Sequence, residues 1–106
     1  MKLIIAALLV FCGTAQAEMS GDDLNAFCKT FNETEDMDAG AAICFGYALG
    51  VADNLNVCGE PTHFQMTRVV REYLSDHPER HHHNAISLVI DALQESYPCK
   101  NLLKGA

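Results

Sequence analysis

"MTRVVREYL", residues 66 to 74, is the stretch that decides the fold of this chain. Its apolar side chains recur at the i, i+3, i+4, i+7 and i+8 spacing of one helix face, and they are Met66, Val69, Val70, Tyr73 and Leu74. Just before them, Thr62 and Gln65 have the T-x-x-Q spacing of a capping box, which satisfies free N–H groups at a helix N-terminus. The sequence therefore predicts a helix from Thr62 to about Ser75.

Three further segments have helical periodicity. The first begins at Ser20, the second runs from about Asp38 to Asn56, and the last runs from Pro78 to about Ser96. The side chains expected to face the core are Leu24, Phe27, Cys28 and Phe31 in the first, Cys44, Tyr47, Ala48, Val51 and Leu55 in the second, and Ala85, Leu88, Val89, Ala92 and Leu93 in the last. No segment alternates apolar and polar residues as a half-buried strand would. The predicted fold class is all-α, a small four-helix domain.

The N-terminus has the pattern of a secretory signal peptide. Lys2 is followed by an apolar run over 3–12 and by the small-residue ending "AQA" at 15–17. The run is too short to cross a bilayer as a helix, which needs roughly 20 residues. We expect cleavage after Ala17, which leaves one domain over residues 18–106, exported to the periplasm and not membrane-bound.

Four cysteines remain in this predicted mature chain: Cys28, Cys44, Cys58 and Cys99. An even number in a short exported chain indicates two disulfides rather than a metal or redox site. Three connectivities are possible. The helix layout favours Cys28–Cys44 and Cys58–Cys99, because the first pair flanks one connection and the second pair ends two helices.

Charge excludes two classes of partner. The formal net charge of −7 includes Lys2, so removing residues 1–17 changes it to −8. An acidic domain is a poor ligand for nucleic acid or for anionic membranes. It suits a basic protein partner.

The histidine-rich stretch "HPERHHHNA" at 77–85 is expected to begin the last helix rather than to form an active site. Pro78 suits the first helical position, and three consecutive histidines would then point about 100° apart. Glu79 and His83 could share a metal, but zinc needs three or four ligands and the sequence names no others. Because nucleophile, metalloprotease and phosphate-loop motifs are also missing, we expect no enzyme activity, no cofactor and no bound metal.

Small residues recur every fourth position in the second helix, at Ala42, Gly46 and Gly50. Such a row lets another helix approach closely. We expect the neighbour to lie within the same subunit, and a subunit interface is the alternative.

Four stretches together resemble one family. They are "CFGYALGVAD" at 44–53, "CGEP" at 58–61, "VVREYLSDHPERHHHNA" at 69–85 and "LVIDALQESYPC" at 88–99. In this combination the chain resembles the Rap/Tai family of immunity proteins. The resemblance implies a periplasmic protein, often a homodimer, that inhibits a peptidoglycan-cleaving amidase effector of the type VI secretion system by blocking its active-site cleft.

The residues also leave two other functions open. One is an acid-stress periplasmic chaperone of the Hde type, whose carboxylates would neutralise at low pH. The other is an immunity-family domain with a different periplasmic binding role.

The turn at 59–63 and the outer face of the third helix form the expected partner surface. The second and last helices have broad apolar faces committed to the core, and a turn next to Cys58 is held rigid, which reduces the entropy lost on binding. The acidic connection at 32–38 is the alternative location. The residues expected to contact the partner are Glu60, Thr62, His63, Gln65, Arg68, Arg71 and Glu72.

Overall fold

The computed structural model describes residues 18–32 and 36–99 of the chain. They form four α-helices and one short 3-10 helix: α1 (Gly21–Cys28), α2 (Ala39–Ala52), α3 (His63–Asp76), the 3-10 helix (Pro78–Arg80) and α4 (Ala85–Ser96). The all-α prediction is confirmed. The predicted signal peptide at 1–17 and part of the acidic connection lie outside the described residues. Within those residues, none of the helices has the length and apolar character needed to span a bilayer.

Side-chain caps fix where three helices begin. The Ser20 hydroxyl accepts from the Asp23 N–H while the Asp23 carboxylate accepts from the Ser20 N–H, a reciprocal capping box for α1. Thr62 and Gln65 form the same arrangement at α3, as predicted. At α2, Asp38 accepts from the backbone N–H of Ala41 at 2.7 Å and from the Thr30 hydroxyl at 2.9 Å.

The bonds to Asp38 also connect two helices. Those from Ala41 and Thr30 hold the pKa of the Asp38 carboxyl below its ordinary value, because they stabilise its charged form. Thr30 follows the end of α1, and Asp38 precedes α2. The bond from Thr30 therefore joins the two ends of the acidic connection, whereas the bond from Ala41 caps α2.

The core lies where all four helices meet. The buried apolar side chains are Leu24, Cys28, Phe31, Ala41, Cys44, Ala48, Ala52, Met66, Val70, Tyr73, Leu74, Ala85, Leu88, Val89, Ala92 and Leu93. Both predicted disulfides are present, Cys28–Cys44 with Cα atoms 5.0 Å apart and Cys58–Cys99 with Cα atoms 5.2 Å apart. Each such cross-link stabilises a small domain by about 2–4 kcal/mol.

The predicted core face of α2 was partly wrong. Cys44 and Ala48 are buried as expected, but Tyr47, Val51 and Leu55 are only partly buried. The remaining core contacts of α2 come from Ala41 and Ala52 instead. The helix sequence "AGAAICFGYALGVA" is apolar on every side, so its periodicity does not distinguish the inner face from the outer one.

The predicted start of the last helix was also wrong. Pro78 begins a 3-10 turn that ends at Arg80, and α4 begins at Ala85 after Asn84. The N–H groups at the start of α1 explain why the intervening loop stays non-helical. Those of Gly21 and Asp22 donate to the carbonyls of His83 and His81, both at 2.8 Å, which points these carbonyls toward α1 rather than along the axis of a helix through the loop.

Gly21 allows this loop to approach α1. A Cβ atom at Gly21 would lie 2.8 Å from the His81 carbonyl oxygen and 2.5 Å from the Leu88 side chain. We therefore expect Gly21→Ala to lower the free energy of unfolding by about 1–3 kcal/mol through overpacking. Urea unfolding of the oxidised mature chain measures this effect. Gly40→Ala is the matched control, since its Cβ would meet only ordinary contacts at 3.5 Å. Equal effects of the two substitutions would contradict the predicted close approach.

Candidate partner-binding surface

The turn between α2 and α3 has an unusual backbone. Gly59 has φ of 90° and Glu60 has φ of 51°, both in the left-handed region. That region is disfavoured for a residue with a Cβ atom, so Glu60 must be held there by its surroundings. Cys58 anchors one end of the turn through its disulfide to Cys99, and Thr62 anchors the other end as the cap of α3. The turn is thus an exposed segment with a fixed shape.

Thr62 and Gln65 contribute mainly to this anchoring. The Thr62 N–H donates to the Gln65 side-chain oxygen at 2.8 Å, and the Gln65 N–H donates to the Thr62 hydroxyl oxygen at 3.1 Å. Both residues are exposed, so they remain accessible to a partner. Their polar atoms are already partly satisfied within the chain.

The outer face of α3 brings together Gln65, Arg68 and Glu72, which are separated by three and four residues. Arg68 and Glu72 lie near Tyr97 at the end of α4. Burial raises the pKa of the Tyr97 hydroxyl, Arg68 opposes this rise, and Glu72 adds to it. This face therefore carries both signs of charge next to a phenol that stays neutral at physiological pH.

Arg71 is more constrained than the sequence suggested. Its side chain is 31% exposed and donates to the carbonyl oxygen of Phe31 at 2.6 Å. Glu72 lies 3.8 Å from the same guanidinium. Arg71 was expected to face solvent. It is half-buried instead, and it joins α3 to the segment that follows α1.

An aromatic patch that the sequence pattern did not predict lies next to the turn. It consists of Phe31, Phe45, His63 and Phe64. Phe64 is 38% exposed, and its ring lies 5.2 Å from that of Phe45 and 6.3 Å from that of Phe31. The His63 ring contacts Phe45 edge-on at 6.5 Å. Phe64 lies off the apolar stripe of α3, which is the sequence signal that could have identified it.

The three consecutive histidines have different environments. His81 is the inner one, and its Nε2 lies 2.6 Å from the Leu74 carbonyl oxygen. Its Nδ1 lies 3.4 Å from the Asp22 carboxylate. His82 and His83 are exposed and their rings lie 4.3 Å apart.

Glu79 pairs with His77 at 3.1 Å rather than with His83. Within residues 18–32 and 36–99, no three His, Cys, Asp or Glu side chains are grouped so that they could hold a metal ion. The histidine-rich stretch thus joins helices in this part of the chain. Within this stretch, Arg80 donates to Asp91 at 2.7 Å and also to the Tyr73 hydroxyl oxygen.

An apolar groove of about 530 Å³ runs between α2 and α4. A Cβ atom at Gly46 or Gly50 would meet nothing within 4 Å, so the predicted close approach of a neighbouring helix at these glycines was wrong. The groove stays open because α2 contacts the core through Ala41, Cys44 and Ala48 on another side. It is lined by Gly46, Tyr47, Gly50, Val51, Asn54, Leu55, Ile86 and Ile90.

A second cavity, of about 790 Å³, lies between α1 and α3 and is polar. Lys29, Arg71 and His81 line it together with Glu72 and Asp76. Because cationic and acidic side chains are mixed there, the cavity does not select for either sign of ligand.

Substitution can distinguish His81, which contacts two helices, from the exposed pair His82 and His83. We expect His81→Ala to lower the free energy of unfolding by about 1–2 kcal/mol, since it removes contacts to two helices. His82→Ala with His83→Ala should change it by less than about 0.5 kcal/mol, as is usual for exposed positions. Chemical unfolding compares the two variants. A larger effect of the exposed pair would contradict this assignment.

Comparison with known proteins places the chain in a family. The family model for Rap1a immunity proteins matches residues 20–99, a stretch that contains all four helices and both disulfides. No curated protein matches the chain. An immunity family of this kind implies binding to a secreted effector and is generally non-enzymatic, and the disulfides agree with a place outside the cytoplasm. Since the match covers well over half of its length, this chain belongs to the Rap1a immunity protein family.

Proposed function

We propose that this chain is a periplasmic immunity protein that binds a peptidoglycan-cleaving amidase effector of the type VI secretion system. It blocks the active-site cleft of the effector and acts by binding alone, without chemistry of its own. Membership of the immunity family supports the effector as partner. The observation that supports the mode of inhibition is the exposed turn at 58–62, whose two ends are fixed.

A fixed turn suits insertion into a cleft because little conformational entropy is lost when it binds. Gly59 and Glu60 already hold their left-handed conformation in the free protein. Pro61 adds a further restriction, since its ring limits φ. Most of the conformational entropy of the turn backbone is therefore lost during folding and not on binding.

Phe64 supplies the apolar centre of this surface. Exposed aromatic residues that are supported by neighbours are typical of binding hot spots. The ring of Phe64 contacts the ring of Phe45, and Phe64 is the second residue of α3, just after the turn. Glu60, Arg68 and Glu72 provide charge around it, and these charges govern the specificity and rate of association more than its strength.

Charge reversal tests this location. We expect Glu60→Lys with Arg68→Glu to weaken binding to the cognate amidase by at least about 1.4 kcal/mol, which is tenfold in Kd. The melting temperature should change little, because both residues lie outside the core. Calorimetry should use a secreted amidase encoded beside the gene of this chain.

Glu18→Lys is the matched control for Glu60→Lys alone, since each reverses one exposed carboxylate. Lys29 is left unchanged because it lines the polar cavity together with Glu72. If Glu18→Lys weakens binding as much as Glu60→Lys, the partner lies elsewhere. If the wild-type chain binds no candidate amidase, another periplasmic role replaces amidase inhibition.

We further propose that the protein is a homodimer formed through the groove between α2 and α4. Two exposed large apolar residues, Ile43 at 42% and Ile86 at 47%, lie on these two helices. The groove lining includes no charged side chain. A surface that offers both a protruding isoleucine and an apolar groove can complement a second copy of itself around a two-fold axis.

Gly46→Glu tests the dimer. A carboxylate at this open position should leave the fold intact but would be buried without a partner in the dimer, so we expect a monomer. Light scattering coupled to size exclusion measures the mass. Ala26→Glu places the same charge on the exposed surface of α1 and should leave the dimer unchanged. A wild-type chain that is monomeric at tens of micromolar would contradict the proposal.

A further inference from the structure

The two disulfides of this protein differ in their exposure to solvent. Cys28 and Cys44 are both 0% exposed and lie among the core side chains. Cys58 is exposed and Cys99 is partly exposed, at the junction between the turn and the end of α4. A thiol can attack a disulfide only where it can reach a sulfur atom.

We infer that Cys58–Cys99 is a thiol–disulfide exchange site for a dithiol, and that its opening releases one anchor of the turn at 58–62. The co-reactant is either a small dithiol or the exposed dithiol of a redox protein. Cys28–Cys44 does not take part, because neither of its sulfur atoms can be reached while the helices remain packed.

The exchange proceeds in two balanced steps. A thiolate of the dithiol attacks the sulfur of the exposed residue Cys58, a mixed disulfide forms, and Cys99 leaves as a thiolate that takes up a proton. The second thiol of the reductant, as its thiolate, then attacks the mixed disulfide and displaces Cys58. Two electrons move from the dithiol, which becomes a disulfide, to the pair of cysteines.

The local structure favours this exchange. The Cys99 sulfur lies 3.1 Å from the carbonyl oxygen of Asn56, which can accept a hydrogen bond from the Cys99 thiol once the leaving thiolate has taken up its proton. Glu60 keeps its left-handed φ of 51° only while both ends of the turn are fixed. Once Cys58 is free, the Glu60 backbone can relax toward the ordinary φ/ψ regions, and this relaxation favours the reduced, released form of the turn.

The helices keep their other links when this bond opens, although the domain loses the stability that the bond contributes. The buried core joins all four of them, and Cys28–Cys44 still ties α1 to α2. Opening Cys58–Cys99 therefore alters the turn and leaves the rest of the domain folded. If the proposed function is correct, on which this consequence rests, reduction also weakens binding to the amidase.

Alkylation kinetics test the exchange site. The oxidised mature chain is incubated with dithiothreitol without denaturant, quenched with iodoacetamide at intervals, and mapped by mass spectrometry. We expect Cys58 and Cys99 to be labelled at least about tenfold faster than Cys28 and Cys44, while the helical circular dichroism stays unchanged. Equal rates for the two pairs, or loss of helix together with labelling, would overturn the inference.

Cys58→Ser with Cys99→Ser provides the second measurement. In this variant the amide resonances of Gly59 and Glu60 should shift toward those of an unconstrained segment, while those of Ala48 and Leu88 should not. Unchanged turn resonances would overturn the release of the turn. Failure of the oxidised wild-type chain to bind the amidase would refute the proposed function alone, whereas equal binding by wild type and variant would refute only the coupling.

Discussion

The smallness of the core is the constraint on which the rest of the structure depends. Four short helices meet through side chains that include several alanines, so the buried apolar area is limited. Two disulfides compensate for this in different places. Cys28–Cys44 lies inside the core and joins α1 to α2, whereas Cys58–Cys99 closes a separation of 41 residues at the periphery. The covalent frame lets a small domain hold an exposed turn in one shape.

The sequence predicted those features that depend on local chemistry. Ser20 as the start of the first helix and the capping pair Thr62–Gln65 were both predicted, and they mark the starts of α1 and α3. The cysteine pairing followed from the order of the helices. These features could be predicted because each depends on residues that are close in sequence or on few alternatives.

Features that depend on tertiary contacts could not be predicted in the same way. Proline at 78 is compatible with the first turn of a long helix, but the backbone bonds from Gly21 and Asp22 keep the following loop out of it. The uniformly apolar α2 gave no signal for its inner face, so the open groove at Gly46 was read as an internal contact. The exposure of Phe64 could have been predicted from its place off the apolar stripe, but its support by Phe31 and Phe45 could not, since they lie on other segments. Because the turn and the groove use different residues, the proposed dimer would leave the turn free to bind.

The central claim is that this protein inhibits its partner through the preorganised turn. Mapping of the bound surface tests this claim most directly. The isotope-labelled mature chain would be titrated with a candidate cognate amidase while backbone amide resonances are followed. We predict that the largest changes occur from Gly59 to Phe64 and along the outer face of α3, and that Gly46 and Gly50 change little. Large changes confined to the groove or to residues 36–38, with the turn unaffected, would contradict the account.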